Sequence, residues 1–394
     1  MLQYSGTLLI LFLITLVVAL VGTRISITIS HKLDILDRPD PRKAHRAPIA
    51  YLGGLGMFLG FVGGLITFFF LQPDFAITHA HLFSSILLGA VLIFCVGFID
   101  DVRPIKAIIK LFLQMAVGAL MWFMGVQITS LSLGGLIGVD GGTPIAEGLS
   151  CFITVMWYVG LMNSVNLVDG LDGLAGGICF LGALSLVGVG LVIGYSPEVL
   201  IGAALATIIA GTTLGYLRYN WHPAKTFMGD GGSLLLGFLL ATASLIGSTK
   251  TPTLLAMSVP VVALGLPIFE STFSFIRRAV SGQSPFKPDR RHLHHRLLDV
   301  GLDQRRVVIG LQFMTLLLGI NAIMLAQAGQ KIVFLNVVFL IAGLILLIEN
   351  LQYLERKRLS TKPETAPAVP QPPPVAEPPA PLATAGATSP GEVR

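Results

Sequence analysis

Four short polar clusters interrupt an otherwise apolar chain, and their residue types suit metal-assisted chemistry on phosphate. They are Asp100-Asp101; Asn163, Asn166, Asp169 and Asp172 at three-residue intervals; Asp230 within Gly229-Asp230-Gly231-Gly232-Ser233; and Arg290-Arg291-His292-Leu293-His294-His295. Asn and Asp supply hard oxygen ligands, which fit Mg²⁺ or Mn²⁺ better than zinc. Residues three apart are neighbours on one helix face, so the Asn/Asp ladder is expected to line a helix. Glycines at 170, 173, 176 and 177 leave room for a close approach of backbone or ligand. Capping and turn formation explain one or two of these four polar residues, not all of them.

The other clusters complete a phosphate-handling set. A Gly-Asp-Gly-Gly-Ser segment opening a helix offers backbone N–H groups that attract phosphate. It also offers a carboxylate for the divalent cation that phosphate carries, although the Lys and spacing of a Walker loop are missing. Arginines pair with phosphate in bidentate fashion. A merely basic loop would explain Arg290 and Arg291 but not His292, His294 and His295. A carboxylate at the centre of a lipid-facing helix costs about 2.5–3.5 kcal/mol, so Asp100 and Asp101 belong at an interface or in a wet cavity. There they would form a metal, substrate or proton-accepting site; taken alone, an acidic helix terminus explains them equally well. Lys110 is a phosphate partner when read with these clusters, whereas Lys43 and His45, ahead of Gly53-Gly54-Leu55-Gly56, read singly as membrane-surface charges.

These clusters need a scaffold, and composition says what kind. Of 394 residues, 54% are hydrophobic and 12% charged, with a mean hydropathy of +0.80. Soluble domains carry about 25% charged residues, so the chain is expected to be an all-α polytopic membrane protein. Spans of about 20 apolar residues fall near 5–23, 51–71, 82–99, 107–125, 148–164, 174–194, 198–216, 231–248, 253–276, 307–328 and 331–350, eleven in all. Lys110 lies near the start of its span, where its long side chain is expected to snorkel to the interface. The first span has no basic leader and no small-x-small cleavage site, so it reads as a retained helix. Cys95, Cys151 and Cys179 lie in apolar runs without paired spacing and read as reduced structural residues.

With the N-terminus outside and the C-terminus cytoplasmic, 24 of the 26 Lys and Arg fall on the inner side, leaving only Lys250 and Lys331 outside. That is a nearly complete positive-inside bias. It accounts for the net charge of +5 without a nucleic-acid partner. The same rule puts all four clusters at the cytoplasmic face and makes 126–147 a plain exterior loop. Residues 1–358 then form a transmembrane domain, and the Pro/Ala-rich 359–394 a disordered cytoplasmic tail.

Read in order, several segments resemble the polyprenyl-phosphate N-acetylhexosamine-1-phosphate transferases (glycosyltransferase family 4), which include the phospho-MurNAc-pentapeptide transferases. They are Arg42-Lys43-Ala44-His45 through Gly54, Asp100-Asp101 with Lys110 and Gln114, Asn163 through Leu174, Phe227 through Ser233, and Pro288 through Leu297. Arg-Arg-His-Leu-His-His-Arg-Leu looks like the branch using UDP-GlcNAc or a related UDP-N-acetylhexosamine, with the pentapeptide branch as the alternative. The resemblance implies attack by undecaprenyl phosphate on the β-phosphate of the UDP-sugar, releasing UMP at the bacterial plasma membrane and starting envelope polysaccharide synthesis. It implies Mg²⁺, with Mn²⁺ as substitute, on Asn166 and Asp230. Lys110 would contact phosphate, and Asp169, Asp172, His294 and the nearby arginines would bind the nucleotide-sugar. Asn163, Lys43, His45, His292 and His295 would join the substrate site, and Asp100 or Asp101 would orient or deprotonate the lipid phosphate. A homodimer is one assembly open to such a chain. One departure is Pro104, where the family often has a third acid, so no role is carried over for that acid.

Other classes fit less well. A lipid or sugar transporter usually places its acids near the bilayer midplane in broken helices, not at one face. An intramembrane aspartyl protease would need Gly where Phe227 stands, and a CDP-alcohol phosphotransferase would need an Ala-Arg and later acids that Asp169-Gly170…Asp172-Gly173 lacks.

Overall fold

The computed structural model describes residues 2–39, 47–131, 143–247 and 301–326, with 261, 265, 268, 297, 298, 328 and single positions between 332 and 343. Within them the chain is a helical bundle of α1 (Ser5–Lys32), α2 (Gly53–Leu71), a short α3 (Pro73–Thr78), α4 (Ala80–Val102), α5 (Ala107–Phe123), α6 (Glu147–Val168), α7 (Leu174–Ile193), α8 (Pro197–Asn220), α9 (Gly229–Gly247) and α10 (Gln304–Leu325). Eight of these are long and apolar enough to cross a membrane, and α5 is a shorter apolar helix of 17 residues. Together they account for nine of the eleven expected spans. The spans expected at 253–276 and 331–350, and the tail from 359, lie outside the described residues apart from isolated positions.

Local chemistry sets several boundaries. At the start of α8, Ser196 accepts the Val199 N–H at 3.2 Å and Pro197 occupies the first turn, a favourable N-cap followed by a preset φ. Asp303 caps α10 in the same way through the Arg305 N–H. Lys32 closes α1, where its positive charge complements the helix dipole.

The centre of the bundle is the pair α8 and α9. The most apolar stretch of each is 94% buried, against 33% for α1. α8 packs on α1, α2, α7 and α9, while α9 packs on α2, α4, α6 and α8; α5 joins α6, and α10 lies on α7. Large apolar side chains such as Leu9, Leu13, Val17, Phe112, Phe152 and Phe313 point outward, as a lipid-facing surface requires. Small residues line the inner seams, where backbones must approach closely. A Cβ on Gly237 would stand 2.5 Å from the Cα of Met162.

At one end of the bundle, β1 (Leu36–Asp37) pairs antiparallel with β2 (Ile49–Ala50), and Ala50 bridges to Thr226. The N–H groups of Gly53 and Gly54 donate to the carbonyls of Phe227 (2.9 Å) and Met228 (3.1 Å). These bonds bring the α1–α2 connection onto the segment leading into α9. The connection at the other end is not a plain loop: Ser130–Leu131 pairs with Thr143–Pro144 as a two-stranded hairpin. Cys95, Cys151 and Cys179 are free thiols in helices.

Candidate active site

Asp100 and Asp101 occupy the last turn of α4, and Asp230 the first turn of α9. Asp101 grips the start of α9. Its Oδ1 accepts the Asp230 N–H at 2.7 Å and its Oδ2 the Gly231 N–H at 2.9 Å. First-turn amides have no partner within their own helix, and their partial positive charge favours an anion. These N–H groups were expected to face phosphate; the chain's own carboxylate takes them instead. Gly229 permits the contact with φ +64°, since a Cβ there would fall 2.5 Å from Asp101 Oδ2. Gly97 lets α4 approach, because a Cβ would lie 2.5 Å from the Asp230 carbonyl.

Asp100 points elsewhere. Its Oδ1 accepts the Ile105 N–H at 2.6 Å and its Oδ2 accepts from Lys110 Nζ at 3.0 Å. The Lys110 ammonium also donates to Asp230 Oδ2. Two carboxylates, in the last turn of α4 and the first turn of α9, hold its largely buried side chain. The other Asp230 oxygen accepts from Asn166 Nδ2 at 2.9 Å, and the same amide donates to Ser233 Oγ at 2.9 Å. Four elements, α4, α5, α6 and α9, thus converge on one polar centre.

The Asn/Asp ladder does not continue along one helix. Asn163 and Asn166 lie on α6, but that helix ends at Val168, with Asp169 as its C-cap and Asp172 in the turn before α7. Gly170 follows, and Gly173, the N-cap of α7, takes φ +78°, a left-handed conformation that suits glycine. Asn163 donates to Gln114 Oε1 at 2.6 Å, tying α6 to α5. Asp172 turns to the segment after α8, where its Oδ2 accepts from His222 Nδ1 at 2.8 Å and the Ala224 N–H at 3.1 Å. The ladder thus divides between the Asp230 centre and this turn.

Asn220 and Gln312 hold the turn in place. Asn220 accepts the Gly173 N–H and donates to the Thr226 carbonyl, both at 2.9 Å, while Gln312 donates to the Gly173 carbonyl at 2.9 Å. Asn220 is 2% exposed, so Asn220→Ala should strand the buried Gly173 N–H, while the Thr226 carbonyl retains the Tyr216 hydroxyl at 3.5 Å. A cost of about 1–3 kcal/mol for a stranded group predicts a clearly lowered melting temperature in detergent.

Electrostatics concentrate around Asp169. Burial, reinforced by the carboxylates of Asp230, Asp101 and Asp172, pushes its carboxyl up to about 7. Tyr51, whose ring meets Phe227 edge-on, is also pushed up by burial and by Asp101, Asp230 and Asp169. It therefore keeps its proton and can donate to an anion. Lys43, His45, Arg290, Arg291, His292, His294 and His295 lie outside the described residues.

Comparison with known proteins gives this arrangement a family. The model of glycosyl transferase family 4 matches residues 83–248. A Bacillus subtilis protein described as a probable undecaprenyl-phosphate N-acetylglucosaminyl 1-phosphate transferase is 34% identical over 334 residues, covering 84% of this chain and 89% of the relative. The chain belongs to glycosyl transferase family 4. Two further relatives are the decaprenyl-phosphate N-acetylglucosaminephosphotransferase of Mycobacterium tuberculosis H37Rv and the undecaprenyl-phosphate alpha-N-acetylglucosaminyl 1-phosphate transferase of Escherichia coli K12. The first is 34% identical, over 71% of this chain and 73% of its own; the second is 30% identical, over 76% and 77%. The family match in this family 4 transferase takes in Asp100, Asp101, Lys110, Asn163, Asn166, Asp169, Asp172 and Asp230. Tyr51, Asn220, His222 and Gln312 escape a reading by spacing, because each is a single polar residue whose partner is remote in sequence. The His222-Pro223 pair shortly before Asp230 is the one local hint.

Proposed function

We propose that this family 4 enzyme transfers N-acetylglucosamine 1-phosphate from UDP-N-acetylglucosamine to undecaprenyl phosphate. The reaction releases UMP and starts an envelope polysaccharide at the cytoplasmic face of a bacterial plasma membrane. The observation that carries this reading is the centre in which Lys110 links Asp100 to Asp230 while Asn166 holds the other Asp230 oxygen. The names of its relatives support the acceptor and the sugar, and the positive-inside bias supports the side.

An oxygen of the lipid phosphate attacks the β-phosphorus of the nucleotide-sugar. The new O–P bond forms as the bond to the bridging oxygen breaks, and the electron pair leaves on UMP. Phosphoryl transfer depends mainly on positioning and charge neutralisation. Lys110 is placed to meet phosphate oxygens, and neutral Tyr51 to donate to one. Asp172, whose Oδ2 is held by His222 and the Ala224 N–H, would bind the nucleotide. A phosphate oxygen is already ionised near neutral pH, so Asp100 needs only to orient Lys110.

The donor set suits Mg²⁺. Among the described residues no three His, Cys, Asp or Glu side chains gather as a self-sufficient metal cage. Mg²⁺ typically takes one or two protein oxygens and fills its shell with water and substrate phosphate. Asp230 and Asn166 would hold it, and when bound it would neutralise the pyrophosphate oxygens.

The test is UMP release by the purified full chain supplied with undecaprenyl phosphate and a panel of UDP-sugars. Release is expected with UDP-N-acetylglucosamine and Mg²⁺, and loss of at least about 100-fold with EDTA, restored by Mg²⁺ or Mn²⁺. Faster turnover with UDP-MurNAc-pentapeptide would move the enzyme to the pentapeptide branch. Activity undiminished by EDTA would remove the metal.

A further inference from the structure

We infer that Asp101 is a positioning residue that pre-organises Asp230 by clamping the N-terminus of α9, and that the two adjacent acids of α4 therefore do different work. Asp100 and Asp101 are neighbours in sequence, yet their carboxylates face different partners. Asp100 meets Lys110 and the Ile105 N–H. Among the described residues Asp101 accepts hydrogen bonds from backbone alone, the N–H groups of Asp230 and Gly231, one on each oxygen at 2.7 and 2.9 Å. A carboxylate with both oxygens held by charge-assisted bonds is fixed in orientation.

The clamp acts on the residue that matters most at this centre. One of the two amides it holds belongs to Asp230 itself, so Asp101 sets the backbone from which the Asp230 carboxylate projects toward Lys110 and Asn166. The glycines around it are built to this contact. Gly229 has a left-handed φ of +64°, and a Cβ there would press on Asp101 Oδ2; Gly97 leaves α4 close enough to reach. A free acid–base group would need neither. Asn at 101 would keep one acceptor but turn an NH₂ toward the second amide, so at least one N–H would lose its partner.

The decisive measurement is hydrogen–deuterium exchange of the purified full chain, read on a peptide covering residues 228–235, together with pH–rate profiles of UMP release. Asp101→Asn is expected to speed exchange in that peptide by about tenfold and to lower turnover by about 100-fold, with the shape of the pH–rate profile unchanged. Gly229→Ala attacks the same contact from the other partner and should reproduce all three results, so the inference survives testing even where Asp101→Asn fails to fold. Asp100→Asn should lower turnover while leaving exchange in the peptide as in the wild type. Wild-type exchange in Asp101→Asn, or loss of the acidic limb of its pH–rate profile, would overturn the assignment. The kinetic arm rests on the proposed transfer reaction; the exchange arm does not, so failure of one is distinguishable from failure of the other.

Discussion

Asp230→Asn should lower UMP release by about 100- to 1000-fold while leaving the protein folded. The change keeps the side chain's shape and removes its charge. In the wild type one oxygen accepts from Lys110 and the other from Asn166. A carboxamide must turn its NH₂ toward one of these two donors, so one existing bond becomes a donor–donor conflict. Removal of a single pre-organised electrostatic contact costs about 10²–10³ in turnover in well-studied enzymes, and Asp230 is additionally assigned to the cation. The fold should tolerate the loss, because Lys110 retains Asp100 at 3.0 Å and the α9 start retains Asp101 at 2.7 Å. The matching expectation is that Asp230→Asn needs far more Mg²⁺ for half-maximal residual activity. Wild-type turnover with an unchanged Mg²⁺ requirement would take Asp230 out of the metal site.

Much of this centre can be read in the sequence, and the boundary of what can be read has physical causes. Long apolar runs disclose helices because a bilayer sets their length, and nine of the expected spans are helices in the described residues. Asn166 and Asp230 stand out because each sits in a polar cluster at the end of such a run. The three-residue period that unites Asn163 to Asp172 correctly places Asn163 and Asn166 on α6. It misplaces Asp169 and Asp172, since periodicity does not report where a helix stops: α6 ends at Val168, and the left-handed Gly173 is the N-cap of the next helix. The division between Asp100 and Asp101 is invisible for a different reason. The partners of Asp101 at the α9 start lie about 130 positions further along the chain, those of Asp100 within ten, and adjacent identical side chains carry no local sign of which way each will face. The bracing of Asp172 by His222, and of the Gly173 turn by Asn220 and Gln312, is equally a product of tertiary packing.

Lys110→Met separates two roles that the centre combines, because it should weaken catalysis and strengthen cation binding at once. Lys110 is largely buried and holds Asp100 and Asp230 through one ammonium. Methionine fills similar space without the charge, leaving two carboxylates facing each other. As a general scale, two like unit charges about 4 Å apart at an effective dielectric of about 20 repel by about 4 kcal/mol. A divalent cation relieves that repulsion, so the Mg²⁺ needed for half-saturation should fall by about tenfold or more. This can be measured by calorimetry on the purified protein without substrate. Turnover should nevertheless drop by about 100-fold or more if Lys110 meets the transferring phosphate as proposed, because that positive group is gone. Lys110→Arg should rescue little: the planar guanidinium is wider than an ammonium and cannot bridge the same two carboxylates through one nitrogen. If Lys110→Met lost activity and cation affinity together, the lysine would be supporting the metal site rather than meeting phosphate. If it lost neither, the ion pairs would be structural, and the phosphate contact would have to be sought at another basic residue.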